Sequence, residues 1–175
     1  MQQHPHLGRM APDYRLVMST VNRVLGENYV TEPPVKPLKI AEAYGIAVLF
    51  AEFGDHKDVS GFFSWKKRTI FVNIEEAPNR QNFTIAHELG HYFLHQELFK
   101  EYPDEYQVLL RSPIGAAKDV LEKEANAFAA NLLVPRNMLV QYANIASAHE
   151  LAKLFNVSSD VIGFRRENDS RYAAA

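Results

Sequence analysis

The 175-residue chain contains no cysteine. That absence removes a disulfide framework and a thiolate metal site together, so any metal must be held by imidazole and carboxylate. A cysteine-free chain also suits a reducing compartment. There is little charge imbalance either. Nineteen Lys and Arg face 21 Asp and Glu, a net charge of -2 with a pI near 6.4, which argues against a chain that lives on DNA or on an acidic membrane. No apolar run approaches the ~20 residues that span a bilayer. The opening Met1-Gln-Gln-His-Pro-His lacks the basic start and apolar segment of an export signal. The expectation is a soluble, cytoplasmic protein. No internal repeat or low-complexity block is present, and the Ala-Ala-Ala tail after Tyr172 is expected to fray.

What the chain does have is 47% hydrophobic residues, enough for a real core in one domain of this length. Apolar positions at helical spacing (Tyr14, Val17, Met18, Val21, Val24, Leu25) predict a helix over residues 12–27, ended by Gly26 and Asn28. A short helix carrying Leu38, Ile40, Ala41 and Tyr44 stops at Gly45. The unbroken apolar run Ile46 to Phe50 reads as a buried strand. Two aromatic and β-branched runs, Gly61 to Trp65 and Thr69 to Asn73, flank Lys66-Lys67-Arg68 and read as a β-hairpin with a basic tip. Asn79 is a candidate N-cap for a helix from about Arg80 to Phe99. Residues 100–116 read as a connector. Further helices are expected over 117–133, from Pro135, over 147–155 and over 159–166. The fold class is α+β: a small antiparallel sheet of about three strands packed with helices. Residues 1–175 are read as a single domain, with an N-terminal helical extension (1–33), a catalytic core (34–140) and a C-terminal helical segment (141–175).

The chemistry is carried by His87-Glu88-Leu89-Gly90-His91. Two histidines four residues apart lie on one helical face, about one turn apart, so both imidazoles can reach one ion at Zn–N distances of about 2.0 Å. Glu88 flanks that face, placed to take a proton from a water whose pKa the ion has lowered to roughly 7. Phe83, Ala86, Leu89 and Phe93 form an apolar stripe beside the histidines. Gly90 costs about 1 kcal/mol against alanine within a helix, which suggests that another backbone passes close by.

Catalytic zinc takes three protein ligands and keeps one position open. His95 continues the i+4 series but lies ~12 Å along the axis from His87, too far to share one ion with both other histidines. It is read as a polar or supporting residue. On the helix from Leu121, an apolar stripe of Leu121, Ala125, Phe128, Ala129 and Leu132 is bordered by Glu122. Glu124 lies about 200° away. Glu122 is therefore the expected third ligand, and Glu124 is expected on the solvent side with Lys123 and Ala127. Asn126, one turn beyond Glu122, either orients a ligand histidine through its other ring nitrogen or bonds backbone as a buried amide.

These residues together resemble the ImmA/IrrE zinc metallopeptidases of bacteria and their mobile elements. The resemblance rests on Asp58-Val-Ser-Gly-Phe-Phe with Ile70-Phe-Val-Asn, on Phe83 to His95, and on Glu122 to Pro135, spanning about residues 36–140. It implies a compact gluzincin-like fold, zinc held by His87, His91 and Glu122, and Glu88 as general base. It also implies a task, cleavage of a helix-turn-helix repressor encoded nearby. Two histidines and a carboxylate also tolerate manganese or iron. A peptide is expected to lie extended along a hairpin strand. The second oxyanion donor is left open among Tyr102, Tyr106, His95 and Arg111.

Two rival functions come from other classes. Residues 151–166 have the pattern of a helix-turn-helix ending in Arg165 and Arg166, but the low basic charge favours two helices packed on the core. A non-proteolytic binding role, such as one half of a toxin–antitoxin pair on a metallopeptidase scaffold, is disfavoured by the complete catalytic set. His149-Glu150 lacks a closing histidine and reads as an ordinary helix start.

Overall fold

The computed structural model describes residues 11–56, 58–101 and 116–172. Among them are seven helices and one three-stranded sheet, an α+β fold. Tyr102, Tyr106, Arg111, most of the expected connector and the alanine tail lie outside the described residues.

Strands β1 (Ala47–Ala51), β2 (Gly61–Ser64) and β3 (Thr69–Asn73) are arranged in the order β1-β3-β2. The β2–β3 hairpin is antiparallel as expected, and it turns at Arg68 in a left-handed conformation (φ 48°). β1, however, pairs parallel with β3, from Ala47 opposite Thr69 to Ala51 opposite Asn73. The sheet is therefore mixed, not purely antiparallel. The reason is topological: the segment after β1 crosses to the far edge before the hairpin returns, and apolar patterning does not encode pairing direction. β1 is also an edge strand with Leu49 and Phe50 exposed, and only the preceding Ile46 is sealed. An unbroken apolar run looks the same in a central and an edge strand.

Helix α1 (Tyr14–Glu27) is capped by the Asp13 carboxylate, which accepts from the Leu16 N–H at 2.9 Å. It buries Val17, Val21, Val24 and Leu25. Helix α2 (Pro37–Ala43) begins on proline. The long helix α3 (Pro78–Glu101) starts one residue before Asn79, so Asn79 is not its N-cap. Proline at the first position needs no N–H there, and the Asn79 side chain accepts from the Arg80 N–H instead. Helix α4 (Ala116–Leu133) makes its most extensive packing with α3 and is covered elsewhere by α1. Ala125, Ala127, Phe128, Ala129, Ala130, Leu132 and Leu133 are all buried, so α4 is enclosed on most faces.

Helices α5 (Arg136–Tyr142), α6 (Ala148–Phe155) and α7 (Ser159–Tyr172) complete the described chain. Glu150 closes a capping box with Ser147 at the start of α6. The two arginines of the helix-turn-helix pattern point inward. Arg165 Nε donates to the Val134 carbonyl at 3.0 Å, and Arg166 Nη2 donates to the Ala143 and Ala146 carbonyls at 3.1 and 3.0 Å. The exposed α7 positions among the described side chains are Ser159, Asp160, Phe164 and Glu167, none of them basic. No helix among the described residues is long and apolar enough to cross a membrane.

Candidate metal centre

α3 and α4 run antiparallel, with His87 opposite Asn126 and Leu98 beside Leu121. Gly90 permits the approach. A Cβ there would lie 3.1 Å from the Ala125 Cα and 3.2 Å from the Phe128 Cβ. The passing backbone anticipated from the glycine is α4.

Across this seam the structure brings His87, His91 and Glu122 together. The two Nε2 atoms are 3.1 Å apart, His87 Nε2 lies 3.3 Å from one Glu122 oxygen, and His91 Nε2 lies 3.5 Å from the other. Three donors held about 2.0–2.2 Å from one tetrahedral ion are separated by about 3.3 Å. The nearest separations lie close to that value, although the two imidazoles face different oxygens of one carboxylate, and two imidazoles with one carboxylate suit a divalent cation. His91 is buried, while His87 and Glu122 are part-exposed, so the triangle is walled on one side and open on the other.

The electrostatics lean the same way. Burial opposes charge on His87, yet Glu122, Glu88 and Asn126 together raise its pKa. Burial also resists ionisation of Glu122, but its hydrogen bonds to His87 and His91 hold it well below the usual carboxylate range. Both shifts favour positive charge at the centre of the triangle. His91 responds in the opposite direction: burial pushes it down to about 4, with only partial compensation from Glu122, which leaves it a neutral imidazole at pH 7.

Glu88 is buried beside the triangle. Burial pushes its carboxyl up to about 7, against the opposing charge of His87; Glu122 adds to the rise, and the main-chain N–H of Phe63 on β2 counters it. A carboxyl titrating near neutrality suits proton transfer. Gly61 brings β2 close to α3. A Cβ there would lie 2.5 Å from both the Phe71 carbonyl and the Thr84 side chain.

A second layer surrounds the triangle. Asn126 is exposed and does not act as a buried amide; its Oδ1 lies 3.0 Å from His87 Nδ1. His91 Nδ1 lies 3.0 Å from His95 Nδ1, and His95 Nε2 lies 2.9 Å from Glu124 Oε2. The solvent-side reading of Glu124 is overturned: Glu124 is 2% exposed, and Ala127 is buried as well. Helical periodicity alone gives α4 one wet side, but α1 covers that side, and the Asp13 N–H donates to Glu124 Oε1. The available signal was the alanine-rich, nearly uncharged run from Ala125 to Leu133, the mark of a helix buried all round.

Comparison with known proteins agrees with this geometry. The family model described as the IrrE N-terminal-like domain, peptidase M78, matches residues 41–167. The metallopeptidase ImmA of Bacillus subtilis (strain 168) is 32% identical over 131 residues, covering 72% of this chain and 73% of that protein. Uncharacterized immunity region protein 2 of Bacillus phage phi105 is 29% identical over 133 residues, covering 75% and 76%. The radiation response metalloprotease IrrE of Deinococcus radiodurans is 29% identical over 158 residues, covering 85% of this chain and 45% of that protein. A solved structure described as a Mycobacterium tuberculosis transcriptional regulator shares the fold, with a TM-score of 0.65 at 17% identity, covering 91% of this chain and 48% of that one. The chain thus spans about half the length of the last two proteins.

Proposed function

Because the chain belongs to the peptidase M78 family of IrrE N-terminal-like metallopeptidases, we propose that it is a zinc-dependent endopeptidase that cuts a DNA-binding regulator. His87, His91 and Glu122 hold the metal, Glu88 is the general base, and Asn126 orients His87. The observation that carries this reading is the triangle of two Nε2 atoms and one carboxylate with 3.1 to 3.5 Å edges, beside a buried Glu88. Manganese or iron would fit the same donors less specifically.

When bound, the ion supplies Lewis acidity, polarising a scissile carbonyl and easing deprotonation of water. The remaining work falls to the chain. In the β2–β3 ladder, Asn73 N–H donates to the Ser60 carbonyl at 2.9 Å. The antiparallel alternation then turns the main-chain groups of Gly61 and Phe63 away from β3, toward the outer edge of the sheet. An extended substrate adds there as a further strand, which brings one of its peptide bonds beside Glu88. Glu88, anchored by the Phe63 N–H, accepts the proton of the attacking water and passes it to the leaving amine. The similarity to an immunity region protein and to a radiation response metalloprotease supports a regulatory substrate over a general digestive one.

The test is Glu88→Gln, assayed on a DNA-binding regulator that the parent chain cleaves. Cleavage should fall by about 10²–10⁴-fold while bound metal stays unchanged. Undiminished cleavage by the variant would remove Glu88 from the mechanism.

A further inference from the structure

We propose that Glu124 and His95 form a relay, closed by the N-terminus of α1, that sets the tautomer of His91 before metal arrives. The proposal rests on the metal-centre reading above and adds two positioning residues to it.

The direction of the relay follows from its ends. Asp13 contributes a main-chain N–H, which can only donate, so Glu124 Oε1, 2.6 Å away, is an acceptor. The other oxygen, Oε2, accepts from His95 Nε2 at 2.9 Å. An imidazole that carries its proton on Nε2 presents a lone pair at Nδ1. His95 Nδ1 is 3.0 Å from His91 Nδ1, so a neutral His95 accepts there and His91 supplies the proton of that bond. His91 is thereby left with its lone pair on Nε2, the atom 3.1 Å from His87 Nε2 and 3.5 Å from the Glu122 carboxylate. A ligand histidine that gives its other N–H to an ordered acceptor is oriented as well as polarised.

The two ligand histidines are supported in different ways. His87 leans on Asn126, an exposed amide that can present either face. His91 leans on a chain of fully buried groups whose far end is the main chain of α1, 111 residues from Glu124 in sequence. α1 lies outside residues 41–167 matched by the family model, so this segment of the chain reaches the metal centre without contributing a ligand.

The discriminating variant is Glu124→Gln, which keeps shape and volume. Its amide oxygen must face the Asp13 N–H, so its NH₂ faces His95 Nε2. The relay then runs backward: His95 carries its proton on Nδ1, and His91 carries its own on Nε2. Zinc affinity, measured by chelator competition, should fall by about 10–100-fold. His95→Phe, which keeps a ring but no nitrogen, should lose about tenfold or more. Affinities within about twofold of the parent for either folded variant would mean packing alone and would overturn the relay. A third measurement needs no variant. Imidazole ¹⁵N shifts of the metal-free parent at neutral pH should show His91 protonated on Nδ1 and His95 on Nε2; the opposite pattern, or a doubly protonated His95, also overturns it. A parent protein with no zinc affinity would instead defeat the metal-centre reading, while the ¹⁵N pattern would still report on the relay.

Discussion

Two parts of this molecule bury ionisable side chains, and they use them in opposite ways. In the α3–α4 seam, His91, His95, Glu88 and Glu124 are buried, and the histidines and Glu124 bond to one another across the helices. Behind α5, Arg165 is equally buried, its Nε donates to the Val134 carbonyl, and Arg166 donates to the Ala143 and Ala146 carbonyls. The first arrangement leaves two ring nitrogens and a carboxylate converging on one point. The second closes loop and helix ends, satisfying carbonyls that would otherwise be orphaned. Burying charge is therefore not by itself a sign of function. What separates the two regions is that the polar side-chain atoms of the first converge on a common point, whereas those of the second reach out to main-chain carbonyls.

The hardest test of that contrast removes the converging carboxylate. Glu122→Ala deletes one corner of the triangle while leaving the relay behind His91 intact. Supporting residues of a metal site typically contribute 10–100-fold in affinity, so loss of a ligand should exceed about 100-fold. The melting temperature of the metal-free protein should fall only modestly: the contacts of Glu122 with both imidazoles are lost, but the side chain is part-exposed and solvent screens them. Chelator competition and calorimetry on the same sample read both quantities. Retention of parental affinity would mean that the convergence is incidental.

The seam itself can be forced apart. Gly90→Val would place a Cβ at 3.1 Å from the Ala125 Cα and add two methyls beyond it. Overpacking of this kind costs about 1–3 kcal/mol, read as a lowered denaturation midpoint. Zinc affinity should weaken with it, since Glu122 lies one turn from Ala125 on the displaced helix. A variant as stable as the parent would show that α4 yields freely, and the close approach would then have no role in holding the triangle.

How much of this was visible in the chain depends on the range of the interaction concerned. The histidine pair is a local matter: spacing of four places two rings on one helical face wherever the helix goes. Glu122 needed one further step, the apolar stripe of α4, and that step located the side chain beside the histidines. Glu124 failed because its environment is set by α1, more than a hundred residues away, and helical periodicity is silent about which other element covers a face. The same limit explains β1. Its apolar run specified a strand, but the parallel pairing with β3 and the exposed edge are properties of the crossover, which no local pattern carries. Axial distance separates His95 from His87, and the i+4, i+8 repetition in the same three residues sets His95 Nδ1 beside His91 Nδ1.

The smallest expected effect lies in the C-terminal helices and addresses whether their arginines serve anything beyond structure. Arg166→Ala removes two hydrogen bonds to the Ala143 and Ala146 carbonyls. A hydrogen bond involving a charged group contributes about 1.5–3 kcal/mol, so a stability loss near the lower figure is expected, with metal affinity and cleavage unchanged because the site lies on other helices. If α7 instead entered a groove of DNA, the same substitution would weaken a salt-dependent gel shift and leave stability alone. Among the described side chains of α7, the exposed charged ones are Asp160 and Glu167, which would oppose a phosphate backbone, and Arg165 and Arg166 face inward. Stability should move and DNA retention should not. The reverse result would place the C-terminal pair with the α3–α4 seam, as a region whose polar atoms are held ready for a partner.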